Sequence, residues 1–277
     1  MIQQESVPSV LETAATGEIA DIYSDIRTTL NTSVVNLIWR NLATMPGALP
    51  WAWSTVRPLY LGAAAAHAEA ARRTLALPDA PAFSTALLSA AGIEPGALTN
   101  ILKVLDSYHH TNALALVALS ALLEHYDPTN AEPVQPWGTA PGAAQTELPP
   151  LPPMANLSPE VQRLIEELNG FGEDTDPYLI ASMYRHLAYW PPYLALVRTM
   201  LAPVQADGSL NALTRSARAL GRAHGRVLSR QLAPARSPDS LQQALAACRL
   251  FVEHPIARMT GICAIIRRAT PPHPGDA

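Results

Sequence analysis

Two polar clusters interrupt an otherwise apolar chain, and both hold side chains suited to acid–base or anion chemistry. The first, Tyr108-His109-His110-Thr111-Asn112, lies inside VLDSYHHTNALALVALSALL (104–123). On a helix, Tyr108 and Asn112 fall one turn apart on one face, His109 lies near them and His110 points elsewhere. Polar groups there cost stability unless a partner or a ligand satisfies them, so the cluster reads as a site or as a local polar network. The second cluster is Ser182, Arg185 and His186 in ASMYRHLAYWPP. A histidine can serve as a base near neutral pH. The commoner use of a partly buried one is structural, bonded to a carbonyl. Arg185 has a counterpart, Arg40, in WRNLATMP. A cation on each of two related helices could clamp a carboxylate. Its repetition favours a shared structural role, such as bonding the last carbonyls before a proline turn.

The repetition runs further. Residues 39–58 (WRNLATMPGALPWAWSTVRP) align without gaps on 184–203 (YRHLAYWPPYLALVRTMLAP). Arg40 meets Arg185, Leu42 meets Leu187, Ala43 meets Ala188, Pro46 meets Pro191, Leu49 meets Leu194 and Pro58 meets Pro203. The segment 104–123 also shares its apolar spacing with ACRLFVEHPIARMTGICAII (247–266). These matches predict a duplicated chain: a first repeat over 1–126, a linker over 127–157 and a second repeat over 158–277. The halves would face each other across a pseudo-two-fold axis, with room for an asymmetric ligand site between them.

The elements that must position these residues read as helices throughout. Ala, Leu and Arg dominate, apolar positions recur three and four apart, and alternating β-branched runs are nearly absent. The expected class is all-α, a pseudo-dimer of helical repeats. Ser158-Pro159 and Asp176-Pro177 each read as an N-cap followed by proline at the first helical position. Ser237 or Asp239 is expected to start the helix carrying Leu241–Phe251. Pro46, Pro191 and Pro192 are expected to end helices. Proline density rules out a long helix in DPTNAEPVQPWGTAPGAAQTELPPLPPMA (127–155). Trp39, Trp51, Trp53 and Trp190 read as core or interface anchors.

Composition narrows the function classes. The 277 residues carry a net charge of −4, and 48% of them are apolar. No basic stripe with interleaved aromatics suggests nucleic acid. The longest apolar stretch, near Ala113–Leu123, is too short for a bilayer. An N-terminus without a charged n-region or an apolar h-region argues against secretion and for a cytoplasmic protein. Cys248 and Cys263 form neither a CxxC pair nor a zinc set and read as inert buried thiols. Phosphate-loop, HExxH and GxSxG motifs and paired metal-ligand spacings are absent from the sequence, so no metal is expected.

At IYSDIR (22–27), LATMP (42–46) and LAYWP (187–191) the chain resembles the group I 2-haloacid dehalogenases. The resemblance covers most of both halves and is loose in the linker. It implies an all-α, internally duplicated, cofactor-independent hydrolase. In that family an aspartate activates a water, which attacks the halogen-bearing carbon with inversion and without a covalent ester. The resemblance places the water-holding asparagine on Asn112 and the early-helix pocket positions on Val34 and Leu37. The residue before the aspartate falls on Ser182, and the aspartate position on Met183. A thioether cannot take a proton, so Met183 cannot be the general base. Asp174 reads as a loop acid, and Asp176, roughly 10 Å before Met183 along a helix, as an N-cap. His186 and His109 remain as replacement bases, with Tyr108 beside them in the pocket.

Two readings stay open. One is a hydrolase with shifted chemistry acting on a small 2-halocarboxylic acid. The other is a non-catalytic protein that binds a small-molecule carboxylic acid, with Met183 filling the lost acid's space. The internal pseudo-dimer fits a working monomer and leaves a homo-oligomer open.

Overall fold

The computed structural model describes residues 7–137, 140, 147–173 and 179–272. The structure is all-α, with no strand among the described residues. The first half runs α1 (Gly17–Leu30), α2 (Leu37–Leu42), α3 (Ala48–Leu61), α4 (Ala64–Thr74), α5 (Thr85–Ala90) and α6 (Pro95–Tyr126). The second runs α7 (Pro159–Gly170), α8 (Ser182–Leu187), α9 (Pro191–Ala206), α10 (Ser209–Leu228), α11 (Leu241–Phe251) and α12 (Ala257–Ala269). The order is parallel. A medium helix leads to a short six-residue one (α2, α8), then to a longer helix with an internal proline, Pro58 or Pro203.

Helix α6 is the axis of the molecule, and its apolar run is buried nearly all round. Helices α11 and α12 follow one another as a rod interrupted by a π-helical turn over Val252–Ile256. Pro255 sits in that turn. A proline has no N–H for the α-helical ladder, and a wider turn accommodates the loss. Helices α10 and α12 pack against α6. Two glycines one turn apart let α10 approach. A Cβ on Gly225 would stand 2.8 Å from the Ser120 backbone carbon, and one on Gly221 2.8 Å from Leu116 Cδ1. The two halves therefore share one core, in which Cys248 and Cys263 are buried and free.

Local chemistry explains the element ends. Ser158 caps α7 by accepting from the Val161 N–H, with Pro159 in the first turn, as the sequence indicates. The Asp176-Pro177 cap lies outside the described residues. Helix α11 is preceded by Ser240, not by Ser237 or Asp239; its hydroxyl donates instead to the Pro46 carbonyl, 2.8 Å away. Pro191 and Pro192 open α9 rather than closing α8. A proline's fixed φ and missing N–H suit a first helical turn as well as a stop. Trp39, Trp51 and Trp53 are buried, and Trp190 is half-buried against the core. Trp53 Nε1 and Arg57 Nε both donate to Asp25 Oδ2, at 2.7 and 2.6 Å, tying α3 to α1.

No described helix is long and apolar enough to cross a membrane.

Candidate functional site

A cavity of about 1050 Å³ opens between the halves. Its walls come from matching places in each: the turn into α2 and α2 itself (34–40), and the turn into α8 and α8 itself (179–185). The long rods contribute Tyr108 and Asn112 from α6, and Phe251 and Pro255 from α11 and the π turn.

A buried network aims the second-half wall. Arg258, fully buried on α12, donates through Nη2 to Asn169 Oδ1 at 2.9 Å. Asn169 Nδ2 donates to the Leu179 carbonyl, and its Oδ1 accepts from the Ala181 N–H, both at 3.0 Å. The strand-like approach to Ser182 and Met183 is therefore pinned on both of its polar edges. In the first half Glu12 does the equivalent work. Its Oε1 accepts from the Val35 N–H at 2.9 Å, while its Oε2 pairs with Arg27 at 2.8 Å.

Residues 147–155 of the proline-rich segment form a strap across this cavity. Leu148 N–H donates to Ser33 Oγ of the first half at 2.9 Å. Three groups of the second half grip the strap's carbonyls: His186 Nε2 that of Pro149 (3.0 Å), the Tyr189 hydroxyl that of Pro150 (2.7 Å) and Arg185 Nε that of Pro152 (3.0 Å). Nearer the start of the proline-rich segment, Trp137 lies under the Arg73 guanidinium, 5.2 Å from ring centroid to charge. Sequence reasoning assigned this stretch to a linker and missed its roofing role. The clue was two proline pairs, Pro149-Pro150 and Pro152-Pro153, in a stretch without a helix signal.

Of the expected site residues, Val34, Leu37, Tyr108, Asn112, Ser182, Met183 and His186 all line the cavity. His109 does not. One residue on from Tyr108, it is rotated about 100° around α6, into the company of Arg72, Glu69, Asp106 and Arg267. Burial holds its imidazole down at about 4.

His186 is placed for structure rather than for base catalysis. A carbonyl only accepts, so Nε2 carries the proton that goes to Pro149. Nδ1 is then the acceptor, and the Tyr108 hydroxyl donates to it at 2.7 Å. Its lone pair is thus already used, and burial lowers the imidazole to about 4. Tyr108 is raised above the usual phenol range by burial, against the pull of Arg185 and Arg40, and it also hydrogen-bonds with Ser182.

Arg40 and Arg185 both line the cavity and are buried to the same 6% exposure. Arg185 reaches the strap through Nε and Nη2, because the extended prolines offer carbonyls that no helix ladder uses. Asn112 is 6% exposed, and its Nδ2 has no hydrogen-bond partner among the described residues. A buried donor left unmatched costs stability unless a ligand takes it. Met183 is fully buried in the same wall. The sequence reading also missed the three cavity carboxylates, Glu12, Glu147 and Glu166, of which the last two are exposed at the rim. Among the described residues no cluster of three or more His, Cys, Asp or Glu is placed to hold a metal ion.

No family model matches the chain. It is 30% identical over 218 residues to a protein named 2-haloacid dehalogenase, configuration-inverting, from Alcaligenes xylosoxydans xylosoxydans, covering 75% of this chain and 73% of that one. A protein of the same name from Pseudomonas sp. (strain 113) is 27% identical over 259 residues, covering 86% and 82%. Among solved structures, the crystal structure of a D-2-haloacid dehalogenase mutant gives a TM-score of 0.67 at 17% identity, over 95% and 96% of the two chains. The complex of such a mutant with D-2-CPA gives 0.64 at 18%, over 95% and 94%. At these identities the structural likeness speaks for the fold.

Proposed function

The chain belongs to the configuration-inverting 2-haloacid dehalogenase family, and from that premise we propose that its cavity binds a carboxylic acid without the family's hydrolysis. What supports this is a set of cavity groups suited to an anion beside a position that lacks an acid. Arg40, Arg185 and the unmatched Asn112 amide supply positive charge and a donor for a carboxylate. Met183 stands where the resemblance assigns the aspartate, and a thioether takes no proton. The best nitrogen in the wall, Nδ1 of His186, already accepts from Tyr108. A water held against the α8 wall would find no free base there, since Met183 takes no proton and His186 Nδ1 is already occupied.

Titration calorimetry with 2-chloropropionate tests the binding half. Heat of binding with the wild type, weakened in an Arg40→Met variant that stays folded, supports it. No binding by folded wild type removes it.

A second reading draws on Glu12, a half-buried carboxylate in the cavity wall. If the substrate sits near the first-half wall, Glu12 could act as a relocated base. Halide release that disappears in Glu12→Gln would select this reading.

A further inference from the structure

Resting on the carboxylate-binding reading, we infer that the natural ligand is a monocarboxylic acid with an apolar tail of medium-chain fatty-acid size. A two- or three-carbon acid is too small. The cavity's 1050 Å³ stands at the upper end of the roughly 300–1,000 Å³ typical of pockets for drug-sized molecules. A short haloacid would leave most of it to water.

The polar and apolar groups are also unevenly distributed. Tyr108 hydrogen-bonds with Ser182 and feels the charges of Arg40 and Arg185, and Asn112 follows it one turn along α6. These groups form one polar cluster, able to hold a single carboxylate. Phe251, Pro255 and Met259 recur four residues apart on the second rod and all line the cavity. They form an apolar stripe about 12 Å long, comparable to an extended acyl chain of medium length. The strap adds Leu148, Leu151 and Met154 to the apolar lining. A charged head with one long apolar wall fits an amphipathic acid. A second carboxylate or a polyhydroxylated chain would meet no partners along that wall.

The experiment is a calorimetric series on the full-length protein with propionate, butyrate, hexanoate, octanoate and decanoate below their micellar range, and octanol as the uncharged control. The expected result is a Kd that falls about fourfold per added methylene up to octanoate, with octanol at least tenfold weaker than octanoate. Propionate binding as tightly as octanoate would overturn the tail assignment and leave the carboxylate site standing. Octanol matching octanoate, or no acid binding at all, would overturn the carboxylate reading on which it rests.

Discussion

The Tyr108 hydroxyl lies 2.7 Å from Nδ1 of His186, joining the long helix of the first half to the short helix of the second. Both side chains are buried, and the imidazole's other nitrogen is fixed by the Pro149 carbonyl. The Pro149 carbonyl therefore sets the tautomer, and the Tyr108 hydroxyl occupies the remaining lone pair, so that the imidazole ties two halves and a strap together. Tyr108→Phe should cost about 1–2 kcal/mol, because it leaves Nδ1 buried without a partner. Denaturant unfolding measures this, and an unchanged midpoint would show that the bond contributes nothing.

Acid should destabilise the protein over a defined window. Burial lowers His109, His186 and His224 to about 4, against 6.5 for a free imidazole. Between those values the unfolded chain binds protons that the folded one does not, so stability rises with pH from about 4 to 6.5 and is flat above. His186 alone accounts for roughly 3 kcal/mol of that difference. Unfolding free energies at pH 7 and pH 5 capture about 2 kcal/mol of it, and His186→Gln should flatten the slope.

Asn112 should separate stability from binding. Asn112→Leu removes a buried amide whose Nδ2 has no partner, so the variant should be as stable as the wild type or up to about 1 kcal/mol more stable. Its affinity for carboxylic acids should fall about tenfold. Loss of stability without loss of affinity would make Asn112 a structural residue.

Close approach of α10 to α6 rests on Gly225. Gly225→Ala would drive a Cβ to 2.8 Å from Ser120 backbone, which no side-chain rotation relieves. About 3 kcal/mol of destabilisation is expected. Gly96→Ala, where a Cβ meets nothing within 4 Å, should be neutral or stabilising by about 0.5–1 kcal/mol. Thermal unfolding of the two variants checks the contrast.

Signals that act within a turn or two of helix were legible in the sequence. Ser158 before Pro159 gave a start, the apolar run around Ala113 gave α6, and the match of Arg40 to Arg185 marked both cavity walls. Groups that meet only after folding were not. Asn169 and Arg258 lie 89 residues apart in sequence yet share two contacts that aim α8. His186 has the spacing of a catalytic base, but its character is decided by Tyr108 and a proline carbonyl, both far away in the chain. His109 was placed one helical position too generously. Proline density correctly excluded a helix from the strap, but nothing in the sequence says which side chains will grip its carbonyls.

The central claim is that an acid-binding cavity has lost its base at Met183. The direct measurement is halide release from D- and L-2-chloropropionate, across pH 6–10, by wild type and by Met183→Asp side by side. The account predicts no release by the wild type above a protein-free control, and measurable release by the folded variant. Wild-type release above the control would contradict it.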